Sequence, residues 1–211
     1  MVIIIGNQKG GAGKSTLTLL LANYLVQVKK RKVTVIDMDY QQSIAQKFEK
    51  AKLLENPEPY EVIAASLDDY PAMEDLLYNS GEQVVLIDLP GKLDDDGLIP
   101  VFRSANLVIC PFSYDEFSFN STILFSVVLR KINPEVMLTY VPNRIKANVR
   151  YETQLEVDEQ LQKLGSVTPV LPDRIDFQRT NTFQTPLSLI PAIRPVFEII
   201  YQNHIAKPAT P

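Results

Sequence analysis

The sequence predicts an α/β fold, a doubly wound, mostly parallel sheet with helices on both faces. Three observations carry that prediction. Short apolar runs rich in β-branched residues alternate with longer stretches of helical pattern. Several of those runs are apolar on both faces, as buried parallel strands must be. The first run passes through a glycine-rich loop straight into a helix. Such alternation places helices over both faces of one sheet.

The first predicted strand, residues 2–6, is an uninterrupted Val-Ile-Ile-Ile-Gly, and the helix at 15–29 opens on Leu17-Thr18-Leu19-Leu20-Leu21-Ala22. The second strand, 33–37, is Val-Thr-Val-Ile-Asp, with a helix at 43–52 starting from Ser43. Strands at 60–64 and 83–89 flank a helix at 71–78, and a helix at 95–103 leads to the strand at 107–111. Helices at 117–131 and 150–164 then alternate with strands at 136–141 and 167–170, and a helix at 191–204 closes the pattern. The 15 prolines fall mostly at element edges or in loops, with no repeat and no low-complexity tract.

With 211 residues, 45% hydrophobic and 22% charged, the chain is expected to form one domain over 1–211, neither disordered nor fibrous. No helix-turn-helix extension is expected ahead of the first strand. One cysteine, Cys110, excludes intramolecular disulfides, cysteine zinc sites and cysteine-ligated iron–sulfur clusters. The one histidine, His204, lies near the C-terminus, where chain ends fray, so a Ser-His-Asp mechanism is set aside. No signal segment or stretch of roughly 20 apolar residues is present, which predicts a cytoplasmic protein. A net charge of −4 is the wrong sign for a dedicated nucleic-acid binder. The run Lys29-Lys30-Arg31-Lys32 is read as a solvated helix C-terminus, where the helix dipole favours cations.

The strongest signal is Gly6-Asn7-Gln8-Lys9-Gly10-Gly11-Ala12-Gly13-Lys14-Ser15-Thr16, set between strand and helix. Glycines allow successive N–H groups to turn inward around phosphate oxygens at a helix N-terminus. Lys14 then reaches the β- and γ-phosphates and the Ser15 hydroxyl ligates Mg²⁺. Gln8 stands where the strict P-loop pattern has glycine; the rest reads K-G-G-x-G-K-[ST].

With its second lysine, Lys9, this loop resembles the deviant Walker A motif of the ParA/MinD family of dimeric ATPases. Further landmarks follow in order. Asp37-Met38-Asp39-Tyr40-Gln41 resembles the family's D-x-D-P-Q segment, with Tyr40 for proline. Val84-Val85-Leu86-Ile87-Asp88-Leu89-Pro90-Gly91 resembles its Walker B strand and second switch, and residues 105–111 its A-D-x-x-x-x-P segment, with Asn106 for aspartate. The second half matches more loosely, through Val141-Pro142-Asn143-Arg144 and Leu171-Pro172-Asp173-Arg174.

The resemblance implies ATP bound on Gly10, Gly11, Ala12, Gly13, Lys14, Ser15 and Thr16. Asp88 at a strand end is placed to hold Mg²⁺ through water, and by resemblance the strand ending at Asp37 lies near the loop, so that Asp37 could also reach the metal shell. Asp39 resembles the residue that orients the attacking water, or else it is a helix cap. By resemblance Lys9 crosses a dimer interface to the other subunit's nucleotide, as an arginine finger does. Asn143 matches an adenine contact, with a turn asparagine as the other reading, and Pro172 and Asp173 line the same base pocket by resemblance. Asp94-Asp95-Asp96 lacks the alternation of a calcium loop and is read as a helix N-cap with first-turn acids.

The resemblance also implies an ATP-dependent homodimer whose hydrolysis a ParB-like adaptor stimulates while plasmid, chromosome or other cargo is moved over nonspecific DNA. The protein would then be bacterial and associated with the nucleoid. Basic residues for a DNA face are Arg144, Lys146, Arg150, Lys163, Arg174 and Arg179, with acidic residues interspersed. The C-terminal tail lacks the basic amphipathic face of a MinD-like membrane anchor. A metabolic enzyme of the dethiobiotin-synthetase type is the alternative, against which Lys9 and the D-x-D-x-Q segment weigh. A related tyrosine kinase expects a tyrosine-rich tail, and near this C-terminus stands only Tyr201.

Overall fold

The computed structural model describes residues 1–78, 81–91 and 95–206. Strand and helix alternate from the start: β1 (Val2–Ile5), α1 (Lys14–Gln27), β2 (Val33–Asp37), α2 (Ser43–Leu53), β3 (Glu61–Ala64), α3 (Tyr70–Tyr78), β4 (Val84–Asp88) and α4 (Leu98–Ser104). The second half continues with β5 (Leu107–Phe112), α5 (Glu116–Ile132), β6 (Met137–Pro142), α6 (Gln154–Gln162), β7 (Ser166–Val167), α7 (Ile175–Gln178) and α8 (Ile190–Ile200). The strands form one all-parallel sheet in the order β3-β2-β4-β1-β5-β6-β7, so the expected doubly wound fold is present.

The period-2 geometry of a strand sorts each apolar run between two cores. Ile3 and Ile5 of β1 join Leu86, Leu107 and Ile109 under α1 and α8. Val2 and Ile4 join Val85, Ile87 and Val108 under α4, α5 and α6 on the opposite face. Helix α1 is buried nearly all round, from Leu17 to Leu25, because the sheet lies beneath it and α8 packs beside it. This is why its sequence is a continuous apolar run rather than a stripe. Burying a leucine such as Leu20 contributes roughly 1.5–3 kcal/mol.

Chain direction positions the site. From β1 the chain leaves through α1 toward β2 on one side, whereas from β5 it leaves through α5 toward β6 on the other. A crevice opens where such connections diverge, outside the carboxyl ends of the strands.

Several expectations need correction. His204 is not in a frayed end: it lies in a π-helical turn, Tyr201–Ile205, with its Nε2 sharing a 3.0 Å hydrogen bond with Thr139 Oγ1. Asp95 and Asp96 are not first-turn acids of α4, whose N-cap is Gly97; Asp95 instead accepts the Gly97 N–H at 2.8 Å in the turn ahead of it. Asp94, expected with Asp95 and Asp96 at the helix start, lies outside the described residues, as do residues 92–93 and the tail 207–211. The last expected strand, 167–170, is reduced to Ser166–Val167, and α7 and a 3-10 turn at Leu187–Leu189 were not expected. Helix α8 also carries Pro195 in its interior. That residue faces solvent, so water can serve the carbonyl left without a donor. Residues 29–32 follow α1 rather than form its last turn, which ends at Gln27 and carries no base; Lys29 pairs with Glu198 at 2.7 Å and Arg31 donates to the Glu82 carbonyl at 3.0 Å.

Candidate nucleotide site

The glycine-rich loop leaves the centre of the sheet at β1 and enters α1 without a break. Gly11 and Gly13 have φ values of 74° and 87°, left-handed backbone that an L side chain rarely adopts. Space adds a second constraint at Gly13, where a Cβ would stand 2.5 Å from Asn143 Nδ2. Helix α1 starts at Lys14 with no side-chain cap, so the first-turn N–H groups of a helix N-terminus are left for an anion. Lys14 is buried to 7% exposure. A Cβ on Gly91 would lie 3.9 Å from Lys14 Nζ and 4.0 Å from Gly10 Cα, so the segment after β4 begins against this loop.

Two carboxylates end neighbouring strands in register, Asp37 on β2 beside Asp88 on β4. Both are fully buried. Asp37 is spent largely on backbone: its Oδ2 accepts the N–H groups of Ile44 and Ala45 at 2.9 Å, and its Oδ1 that of Asp39 at 3.3 Å. It therefore fixes the start of α2, and those bonds oppose the burial that raises its pKa. Asp88 differs. Its Oδ1 accepts from Thr18 at 3.3 Å, while its buried Oδ2 has no partner among the described residues. Burial, and then the Asp37 carboxylate, push its pKa up to about 7 against the Ser15 hydroxyl and the Lys14 ammonium.

An orphaned carboxylate oxygen beside a serine hydroxyl fits a divalent cation held through water. Among the described residues no three of His, Cys, Asp or Glu gather around one point. An ion here would rest on Ser15, Asp88, water and phosphate oxygens, with Asp37 held back by its helix-capping bonds. Asp39 is half-buried, and its Oδ1 accepts the Gln41 N–H at 2.9 Å. Tyr40 beside it is 71% exposed.

The lysines of the loop take opposite directions. Lys9 is turned outward and donates to both carboxylate oxygens of Asp115 at 2.8 Å. Asp115 also caps α5 by accepting the Ser118 N–H at 2.9 Å. Partial burial works to raise the Asp115 pKa, but bonds from Lys9, Ser113 and Ser118 outweigh it and hold the carboxyl at about 2. Asn7, fully buried, pins the loop from below: it donates to the Pro111 carbonyl at 2.8 Å and accepts the Lys9 N–H at 3.1 Å. Sequence reading gave neither Asn7 nor Asp115 a role, although an aspartate opening a helical run is an N-cap signal.

The proposed base-pocket residues meet in a cleft of about 170 Å³ lined by Thr16, Leu20, Asn143, Pro172, Asp173 and Phe177. Apolar walls with a few polar groups suit a flat heterocycle. Asn143 is not free at its rim, however, because its amide donates to the Ala12 carbonyl at 2.8 Å and its Oδ1 accepts the Arg144 N–H at 2.9 Å. Of the basic residues considered for DNA, Arg144 is drawn to Asp173 at 3.7 Å and Arg179 to Asp176 at 3.7 Å. Asn106 lies at the amino ends of the central strands, where its Oδ1 accepts the Val2 N–H at 2.7 Å. An amide oxygen serves that bond as a carboxylate would, so its departure from the family pattern is far from the loop.

Residues 3–187 match the family described as the CobQ/CobB/MinD/ParA nucleotide binding domain. The chain belongs to that family. Solved structures of similar fold include a putative plasmid partition protein from Borrelia burgdorferi bound to AMPPNP, with 24% identity, 95% of this chain and 98% of that chain covered, and a TM-score of 0.71. The cell division ATPase MinD of Pyrococcus furiosus has 17% identity, coverage of 95% and 98%, and a TM-score of 0.72. An ATP complex of a Cyanothece McdA variant has 16% identity, coverage of 95% of both chains and a TM-score of 0.69. No curated protein matches the chain at a significant level. The family is described as a nucleotide-binding domain, and no helix among the described residues is long and apolar enough to cross a membrane.

Proposed function

We propose that this chain is a ParA-type ATPase. It binds ATP with Mg²⁺ and pairs with a second copy over the nucleotides. It segregates or positions plasmid, chromosome or other cargo over nonspecific DNA until a ParB-like adaptor stimulates hydrolysis. The observation that carries the reading is Lys9. Its ammonium is turned out of its own loop onto Asp115, with the side chain 34% exposed, while Lys14 stays buried beside the strand ends. A lysine held at the surface beside a phosphate loop is available to another subunit's phosphates, which supports the dimer over the metabolic-enzyme alternative.

Ser15 and Asp88 would hold Mg²⁺, whose chemistry there would be to neutralise charge on the triphosphate. This chain's residues do the rest. Loop N–H groups and Lys14 bind the β- and γ-phosphates, and Asp39 orients a water in line with the γ-phosphorus. As that water's oxygen bonds to phosphorus, the bond to the ADP oxygen breaks, giving ADP and phosphate. Lys9 from the partner subunit offsets the charge that builds during transfer. The partition protein and the AMPPNP named for the Borrelia structure support the same reading.

The test is binding to nonspecific duplex DNA with ADP, with ATP, and with Asp39→Ala held in ATP, at two salt concentrations. Binding confined to ATP states and weakened by salt is expected, because counterion release marks phosphate contacts. Absence of DNA binding in every state overturns the DNA part of the reading.

A further inference from the structure

The glycine loop is held from behind by two consecutive residues. Asn143 Nδ2 donates to the Ala12 carbonyl at 2.8 Å, and Arg144 Nη1 donates to the Gly11 carbonyl at 3.2 Å. In a planar trans peptide the carbonyl of one residue and the N–H of the next point in opposite directions. Holding the Gly11 and Ala12 carbonyls toward residues 143 and 144 therefore turns the Ala12 and Gly13 N–H groups away from them. Those are donors the phosphate reading assigns to the cradle.

The backbone is arranged for this double grip. Successive side chains of extended chain point to opposite sides, but Arg144 has a φ of 60°, a conformation uncommon for a residue with a side chain. That turn at Arg144 brings two neighbouring side chains onto one loop. The Asn143 N–H is tied to the Phe112 carbonyl at 2.7 Å and the Ile145 N–H to the Leu171 carbonyl at 3.1 Å, so the grip is built on the sheet. Asn143 Oδ1 accepts the Arg144 N–H, which settles which end of the amide faces the loop.

We propose that Asn143 and Arg144 are positioning residues that fix the orientation of the phosphate-binding amides, so that this chain's affinity for the triphosphate is set partly from the end of β6. The proposal rests on the nucleotide reading and adds to it that Arg144 acts on phosphate affinity rather than on the base.

Arg144→Gly separates the two, because glycine adopts a φ of 60° without strain and removes the grip together with an exposed 3.7 Å pair to Asp173, whose effect on the base cleft the adenosine measurement reads. Dissociation constants of the full chain for ATP, inorganic triphosphate and adenosine are measured with Mg²⁺ by displacement of a fluorescent ATP analogue, alongside thermal midpoints. At least tenfold weaker ATP and triphosphate binding is expected, with adenosine changed less than twofold and a midpoint equal to or above the parent's. Arg144→Lys, which keeps a donor, is expected to recover part of the loss and serves if the glycine variant does not fold. Triphosphate affinity within twofold of the parent in both variants overturns the proposal, and so does an equal loss for adenosine. A parent chain that binds neither ATP nor triphosphate overturns the nucleotide reading itself.

Discussion

Lys9 and Asp115 form a two-armed ion pair within one chain, with the lysine ammonium 2.8 Å from each carboxylate oxygen. The lysine assigned to a partner's nucleotide is thus held by its own subunit's helix cap. For the proposed dimer to form, that contact has to open. Both side chains are partly exposed, at 34% and 45%, so holding it closed is worth at most about 1 kcal/mol.

Removing the lysine and removing its holder should therefore act in opposite directions. Lys9→Ala is expected to bind ATP as a monomer but to lose the nucleotide-dependent dimer, with hydrolysis falling roughly 10³-fold. Asp115→Asn keeps an N-cap acceptor for Ser118 and frees Lys9. It should dimerise at up to roughly fivefold lower ATP, as light scattering would record. Parent-rate hydrolysis by Lys9→Ala would rule out the trans-acting lysine.

Gly13→Ala meets both a left-handed φ and the Asn143 amide at 2.5 Å. The strain is expected to cost about 1–3 kcal/mol of stability and to displace the Asn143 contact to Ala12. Calorimetric titration should show ATP affinity at least tenfold below the parent's. Unchanged affinity would mean that the loop can rearrange freely.

Asp88→Asn removes a carboxyl whose pKa is raised by burial to about 7. Because the folded group holds its proton more tightly than the unfolded one, its contribution to stability is greatest at acid pH. It is lost as pH rises from about 4 to 7. Without magnesium or nucleotide, the variant is expected to melt above the parent at pH 8 and to lose that advantage toward pH 4. Steady-state assays should find its hydrolysis abolished. A parent more heat-stable at pH 8 would contradict the assigned burial cost.

Glu198 is the opposite case. Hydrogen bonds from Gln202, Lys29 and Tyr24 hold its pKa at about 2, below the usual 4.5. A depressed carboxylate stabilises the fold above about pH 4.5 and loses that contribution as pH falls to 2. Urea midpoints for the parent and Glu198→Gln should differ at pH 6 and converge near pH 2. A constant difference across that range would show that the charge is immaterial.

The alternation of strands and helices and the glycine loop were legible because they depend on local chemistry. A both-faced apolar run suits a parallel strand wherever it occurs, and a K-G-G-x-G-K-S-T loop carries its own backbone freedom. Less legible were elements whose signal is short or shared. Among the described residues Ser166–Val167 pairs only with β6, and α7 has four residues, too few for a period to show. His204 reads as tail until the packing of α8 and the turn after it brings the ring to Thr139.

By itself, then, the sequence determined the fold class, the glycine loop between β1 and α1 and the identities of the acids at the strand ends, because spacing along one chain specifies them. Tertiary structure alone decided how those acids divide their work. Asp37 and Asp88 read alike as strand-end aspartates, yet the start of α2 and the Asp39 N–H take the oxygens of one while one oxygen of the other has no partner among the described residues. It also decided that Lys9 rests on Asp115, 106 residues away, and that Asn143 and Arg144 reach back across more than 130 residues to the loop. Contacts between distant residues depend on strand order and crossover, which no local pattern encodes.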